Sequence, residues 1–186
     1  MEDFQDKKKV LVRYTNRSYD HFYNLTYYSL KQAEEQEKLR FYNSMITMVF
    51  CAFAIEAFLN HLGAQIISDW ESIERKINIH EKIKLVYKTE NLTINKNKEP
   101  LCYLYMIFDY RDEIAHGRTL STSEYQIINP DGFPEMPTAG WEKMTTLQKA
   151  KDFRKYTMEI ITSLGHDLAN DDFPLGSSSD ASWCSL

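Results

Sequence analysis

The sequence predicts an all-α fold: a compact up-and-down bundle of about five helices with one long loop before the last. Apolar residues recur at helical spacing over long stretches, and no stretch alternates convincingly as a half-buried strand does. Glycine and proline are scarce outside a single loop. At 186 residues, with 43% hydrophobic and 26% charged side chains, the chain has the size and composition of one globular domain.

The first helix is expected over about Arg17 to Leu39, aromatic early (Tyr19, Phe22, Tyr23, Tyr27) and charged late (Glu34, Glu35, Glu37, Lys38), so its second half faces solvent. The second, about Arg40 to Ile67, is apolar nearly all round at its centre, as a helix surrounded by others must be. Ser68-Asp-Trp-Glu71 has the spacing of a capping box, in which a serine oxygen and a glutamate three residues on satisfy each other's amides. It opens a third helix ending near Glu90.

Pro100 suits the first turn of a fourth helix, where an amide hydrogen has no partner to lose, and that helix continues to His116. A fifth runs from about Trp141 to Ala169, with Leu147, Ala150, Phe153, Met158, Ile161 and Leu164 on its apolar face. Between them lies the loop Arg118 to Gly140, with a turn at Asn129-Pro-Asp-Gly132 and breakers at Pro134 and Pro137. Loops this long are often functional, and this one is placed to wall a pocket around His116, with a short hairpin expected at Tyr125 to Ile128. The domain thus spans residues 1–169, and 170–186 read as a flexible tail.

The N-terminal stretch Met1 to Val10 has no apolar core of the kind a secretory signal needs, which predicts a cytoplasmic protein. Cys51 and Cys102 fall in apolar helical runs and Cys184 in a polar tail, without disulfide or metal-ligand spacing, so all three are expected as thiols. The run Met45 to Ile55 is too short to span a bilayer, and no membrane partner is expected. A net charge of −5 argues against a surface coated in phosphate-binding residues, so any nucleic-acid contact must be local.

The chemistry concentrates at Phe108-Asp-Tyr-Arg111-Asp-Glu-Ile-Ala-His116-Gly117, where an apolar helix ends in an arginine, a histidine and a glycine. A helix C-terminus carries partial negative charge, so a histidine there is favoured in its protonated form and can exchange a proton near neutral pH. Gly117 suits the left-handed position that closes a helix. Leu104, Phe108, Arg111 and Ala115 share one stripe of this helix, so Arg111 points with apolar residues and needs an acidic partner. Glu56, the acid inside the apolar run of the second helix, is that expected partner. Asp112 and His116 are four apart and can touch, which would orient the imidazole. On an ideal helix Arg111 and His116 project roughly 140° apart, too far round to grip one small group. A two-fold dimer interface resolves this, because an arginine and a histidine from different chains can converge on one phosphate.

Arg111-Asp-Glu-Ile-Ala-His116-Gly117, an arginine and a histidine separated by four residues at the end of a bundle helix, resembles the signature of HEPN domains, a superfamily of nucleotide-binding all-α domains. Ala54-Ile-Glu-Ala-Phe-Leu-Asn60 resembles the apolar helix with an embedded acid found in many members. The architectural resemblance covers roughly Ser18 to Ala169. It implies a helical bundle, frequently a homodimer, with metal-independent RNA cleavage in many members and toxin, defence or RNA-processing roles. Arg111 and His116 would be the catalytic pair, Asp112, Glu56 and Asn60 would support them, and Arg118 would contact RNA. Asp112 stands where the family often has asparagine. No cofactor or metal is implied. Some members are non-catalytic, serving as nucleotide- or RNA-binding adaptors or as the helical partner of a nucleotidyltransferase, and that reading stays open; an antitoxin is a further possible partner.

Metal chemistry competes, because Glu113-Ile-Ala-His116 is a Glu-x-x-His on a helix. Di-iron bundles need two such units and two further glutamates, and no second unit occurs. His21, His61, His80 and His166 stand singly, without triad-like neighbours. There is no nucleophile elbow, glycine-rich phosphate loop or zinc-finger spacing.

Overall fold

The computed structural model describes residues 10–89, 94–95, 97–117, 119, 121, 125–127, 129, 131–133, 135–136, 138–165 and 179–185. Five substantial helices carry the fold: α1 (Ser18–Glu35), α2 (Arg40–Ile66), α4 (Ile79–Thr89), α5 (Leu101–Ala115) and α7 (Leu147–Leu164), with short helices α3 (Trp70–Ile73) and α6 (Gly140–Met144) between them. A single 3-10 turn, Glu37–Leu39, joins α1 to α2.

The helix α2 is central, as its all-round apolarity predicts. It packs against α1, α4, α5 and α7, and Met48, Cys51, Ala52, Ile55, Leu59 and Leu62 are wholly buried. By length and composition alone the stretch Glu37–Ile66 could cross a membrane, which the shorter run Met45 to Ile55 did not suggest; half of its most apolar window is buried inside the bundle. Where α1 and α2 meet, small polar residues allow close approach and satisfy themselves locally. Thr26 donates to the Tyr23 carbonyl at 2.6 Å, Thr47 to that of Asn43 at 2.9 Å, and Thr47 meets Ser29 across the seam at 3.0 Å.

The expected third helix is broken in two. The residue before α3 is Asp69, which takes a left-handed conformation (φ 61°), and among the described residues Ser68 forms no capping bond. The capping box lies ten residues on. The Asn78 amide donates to Glu81 Oε2 and the Glu81 amide donates to Asn78 Oδ1, each at 3.0 Å, opening α4. Trp70 of α3 is buried directly over Gly63 of α2, where a Cβ would lie 2.5 Å from the indole ring.

The fifth helix is also divided. The Thr145 hydroxyl donates to the Trp141 carbonyl at 2.7 Å and lies 2.7 Å from the Tyr110 hydroxyl, while Thr146 caps α7 by accepting from the Lys149 amide at 3.1 Å. The apolar face of α7 carries Ala150, Phe153, Tyr156, Ile160, Ile161 and Leu164, whereas Met158, expected on it, is exposed. Its offset of about 140° from Phe153 turns it outward.

In the loop, the Gly132 amide bonds the Asn129 carbonyl at 2.8 Å, forming the expected turn. The hairpin expected at 125–128 does not appear among the described residues; the Gln126 side-chain amide instead grips both backbone groups of Glu135, at 2.7 and 2.8 Å. Outside the bundle, β1 (Val10–Asn16) pairs antiparallel with β2 (Ser179–Ser185), Val10 opposite Ser185 and Asn16 opposite Ser179. The expected all-α fold includes no strand here. The segment Ser-Asp-Ala-Ser-Trp-Cys-Ser has a weak strand pattern, and its pairing runs through backbone groups that a side-chain pattern does not reveal.

Candidate active site

The apolar face of α5 seats Leu104, Ile107 and Phe108 in the core, and that packing sets the direction in which the next turn projects. Arg111 therefore reaches back toward α2. Its Nη1 stands 3.5 Å from Glu56 Oε2, the expected ion pair, and its guanidinium carbon lies 5.4 Å from the Phe108 ring centroid.

The pair belongs to a larger network than the expected arginine and glutamate. Lys82 of α4, only 5% exposed, places Nζ 3.4 Å from Glu56 Oε1 and donates to Asn60 Oδ1 at 2.9 Å. Each Glu56 oxygen thus faces a different cation. Asn60 takes a definite role, as the neutral acceptor that locates the buried ammonium. A buried charge requires such partners, because its desolvation is otherwise uncompensated. The signal was present in the sequence: Ile79, Lys82, Ile83 and Val86 occupy one helical stripe, so Lys82 sits on an apolar face just as Arg111 does.

Asp112 does not orient His116. Its Oδ1 lies 2.8 Å from Arg111 Nε, and no hydrogen bond or ion pair joins its carboxylate to the imidazole among the described residues. The Nε–H is not aimed at that oxygen, so the contact is electrostatic. The long arginine side chain folds onto its neighbour, and the carboxylate follows the full charge rather than the imidazole.

Gly117 does not adopt the left-handed conformation expected of it. His116 instead sits at φ −108°, ψ 17°, which tightens the last turn. Its amide donates to the Asp112 carbonyl at 2.9 Å and that of Gly117 to the Ile114 carbonyl at 3.3 Å. The imidazole is exposed at an open cleft of about 610 Å³ lined by Asp109, Asp112, Glu113, His116, Gly117, Ala139, Gly140 and Trp141. The far end of the long loop and the start of α6 therefore do wall the pocket. Arg111 is not among the residues lining the cleft, although its Nε stands 2.8 Å from Asp112, which is. Arg118 lies outside the described residues, as does His166.

The cleft carries three carboxylates beside its histidine, yet among the described residues no three His, Cys, Asp or Glu side chains are grouped as metal ligands. Of the other histidines, His61 lies 3.0 Å from Gln65, and the His80 ring stacks on Tyr105 with centroids 5.4 Å apart. Both are engaged in packing. Cys51 and Cys102 are free thiols. Burial pushes the Cys51 thiol up to about 12, which leaves it inert as a nucleophile.

No family model, curated protein or solved structure matches this chain.

Proposed function

We propose that this chain is a metal-independent endoribonuclease of the HEPN type, acting as a homodimer in which Arg111 of one protomer and His116 of its partner meet on one RNA phosphate. The observation that carries the reading is the division of labour at the end of α5. Arg111 is anchored by Glu56 with 21% of its side chain still exposed, while His116 projects freely into an open cleft. The motif supplies a cation and a proton-exchanging group, and their offset of roughly 140° around the helix supports a site shared across a two-fold axis.

In this reading His116 takes the proton of the ribose 2′-hydroxyl as its oxygen attacks phosphorus. The bond to the 5′-oxygen breaks, a proton passes to that oxygen, and the products are a 2′,3′-cyclic phosphate and a 5′-hydroxyl. Arg111 stabilises the negative charge that builds on the phosphoryl oxygens. The activity fits a cytoplasmic toxin, defence or RNA-processing role.

One observation favours a second reading, a non-catalytic binding subunit. Asp109, Asp112 and Glu113 line the cleft beside His116, and like charge repels a phosphate while attracting a basic segment of a partner protein such as a nucleotidyltransferase. Purified wild type and His116→Ala, incubated with mixed single-stranded RNA and tRNA in EDTA, separate the two. Cleavage by the wild type alone, leaving cyclic phosphate ends, supports the nuclease. Equal cleavage by both ends the mechanism, and cleavage by neither moves the assignment to the binding subunit.

A further inference from the structure

Lys82 has no part in the motif, yet it is the most deeply buried of the charged groups around Arg111. Arg111 faces two carboxylates, Glu56 at 3.5 Å and Asp112 at 2.8 Å. Were both committed to it, the guanidinium would present a net negative surrounding to any approaching anion. Lys82 changes that balance by drawing on Glu56 Oε1 at 3.4 Å, so two cations share two carboxylates. Asn60 prevents the opposite imbalance. Its Oδ1 accepts from Lys82 Nζ at 2.9 Å, a shorter contact than that to Glu56, and holds the ammonium between α2 and α4 rather than letting it collapse onto the acid.

We propose that Lys82 is a positioning residue: by sharing Glu56 with Arg111 across the junction of α2, α4 and α5, it leaves the guanidinium positive toward an anionic phosphate group. This deepens, and rests on, the reading in which Arg111 meets an RNA phosphate. A purely structural ion pair would hold helices together without setting how strongly Arg111 attracts an anion. The charge-sharing role makes a different demand, that phosphate affinity at Arg111 follow the summed charge of positions 56 and 82 whatever the stability of the variant.

The test uses the full-length ¹⁵N-labelled protein at low ionic strength. The Nε–H resonance of Arg111, identified by its loss in Arg111→Lys, is titrated with inorganic phosphate in wild type, Lys82→Met, Glu56→Gln and the double variant, with thermal unfolding measured alongside. The expected order of affinity is Glu56→Gln tightest, wild type and double variant within about twofold of each other, and Lys82→Met weaker than wild type by roughly three- to tenfold. Lys82→Met titrating like wild type, a double variant that fails to return, or a wild-type resonance that ignores phosphate would each overturn the proposal. If Lys82→Met does not fold, the remaining comparison decides: Glu56→Gln must bind more tightly than the double variant, and equal affinities defeat the idea. Cleavage dependent on His116 with no such order keeps the nuclease and discards the role of Lys82. The order without cleavage discards the nuclease and keeps Lys82.

Discussion

Glu56 Oε2 and Arg111 Nη1 meet at 3.5 Å between two helices remote in sequence, and the same carboxylate holds Lys82 at 3.4 Å through its other oxygen. Removing Glu56 therefore leaves the buried Lys82 with only the neutral Asn60 beside it and takes one of two carboxylates from Arg111. Glu56→Ala is expected to destabilise the fold by about 3 kcal/mol, against about 1 kcal/mol for Arg111→Ala, whose charge partner can still reach solvent. Urea denaturation of both single variants and the double gives the coupling, expected at about 1 kcal/mol. Additive losses would mean that the pair contributes nothing of its own.

His116 is exposed, so His116→Ala should leave stability within about 0.5 kcal/mol of wild type. Under the proposed mechanism it should slow RNA cleavage by about 10²- to 10⁴-fold. A site shared between protomers makes a sharper demand. Arg111→Ala and His116→Ala, each inactive alone, should regain about a quarter of wild-type activity when mixed in equal amounts and allowed to exchange, because half the dimers are mixed and half their sites intact. Failure of exchanged mixtures to recover any activity would place both residues in one chain's site.

Gly63 lies beneath the indole of buried Trp70, with no room for a methyl group at 2.5 Å. Alanine would favour the helix by about 1 kcal/mol, but displacing a packed ring outweighs that. Gly63→Ala is expected to lose about 1–2 kcal/mol net, read as a lower urea midpoint at unchanged slope. A gain in stability would show that Trp70 moves aside without loss.

Burial raises the Cys51 thiol from its ordinary 9.0 to about 12. A folded-state pKa above the unfolded one means that the native state holds the proton more tightly. The contribution is fully present below about pH 9 and is lost as pH rises from there toward 12. Stability should fall across that window, and Cys51→Ala should flatten the fall while costing about 1 kcal/mol at neutral pH for the space it leaves. An unchanged alkaline slope in Cys51→Ala would assign the fall to the buried tyrosines Tyr23 and Tyr110, which burial also raises.

Much of the architecture was legible because long helices announce themselves through which residues they can afford to bury. The limits of α2 and the end of α5 follow from apolar runs and their punctuation. The capping box was misplaced from Asn78 to Ser68 because both segments, Ser68-Asp-Trp-Glu71 and Asn78-Ile-His-Glu81, satisfy the same four-residue pattern. Which one closes depends on Trp70, whose burial over Gly63 shapes the chain there. The break at Thr145 and Thr146 stayed hidden for a related reason: Tyr110, on another helix, supplies the hydroxyl that meets Thr145.

The sequence by itself determined that an arginine in an apolar stripe of α5 needs an acid, and that Glu56 is the acid on hand. That inference requires only helical geometry and the free energy of burying a charge. Only the tertiary structure decided that Lys82 shares Glu56, that Asp112 turns to Arg111 instead of His116, and that the imidazole faces an acidic cleft while the guanidinium faces α2. Periodicity tells which side of a helix is apolar, but the partner of a charge on that side is set by where three helices cross. That crossing is fixed by the packing of the whole core, with no single segment carrying it.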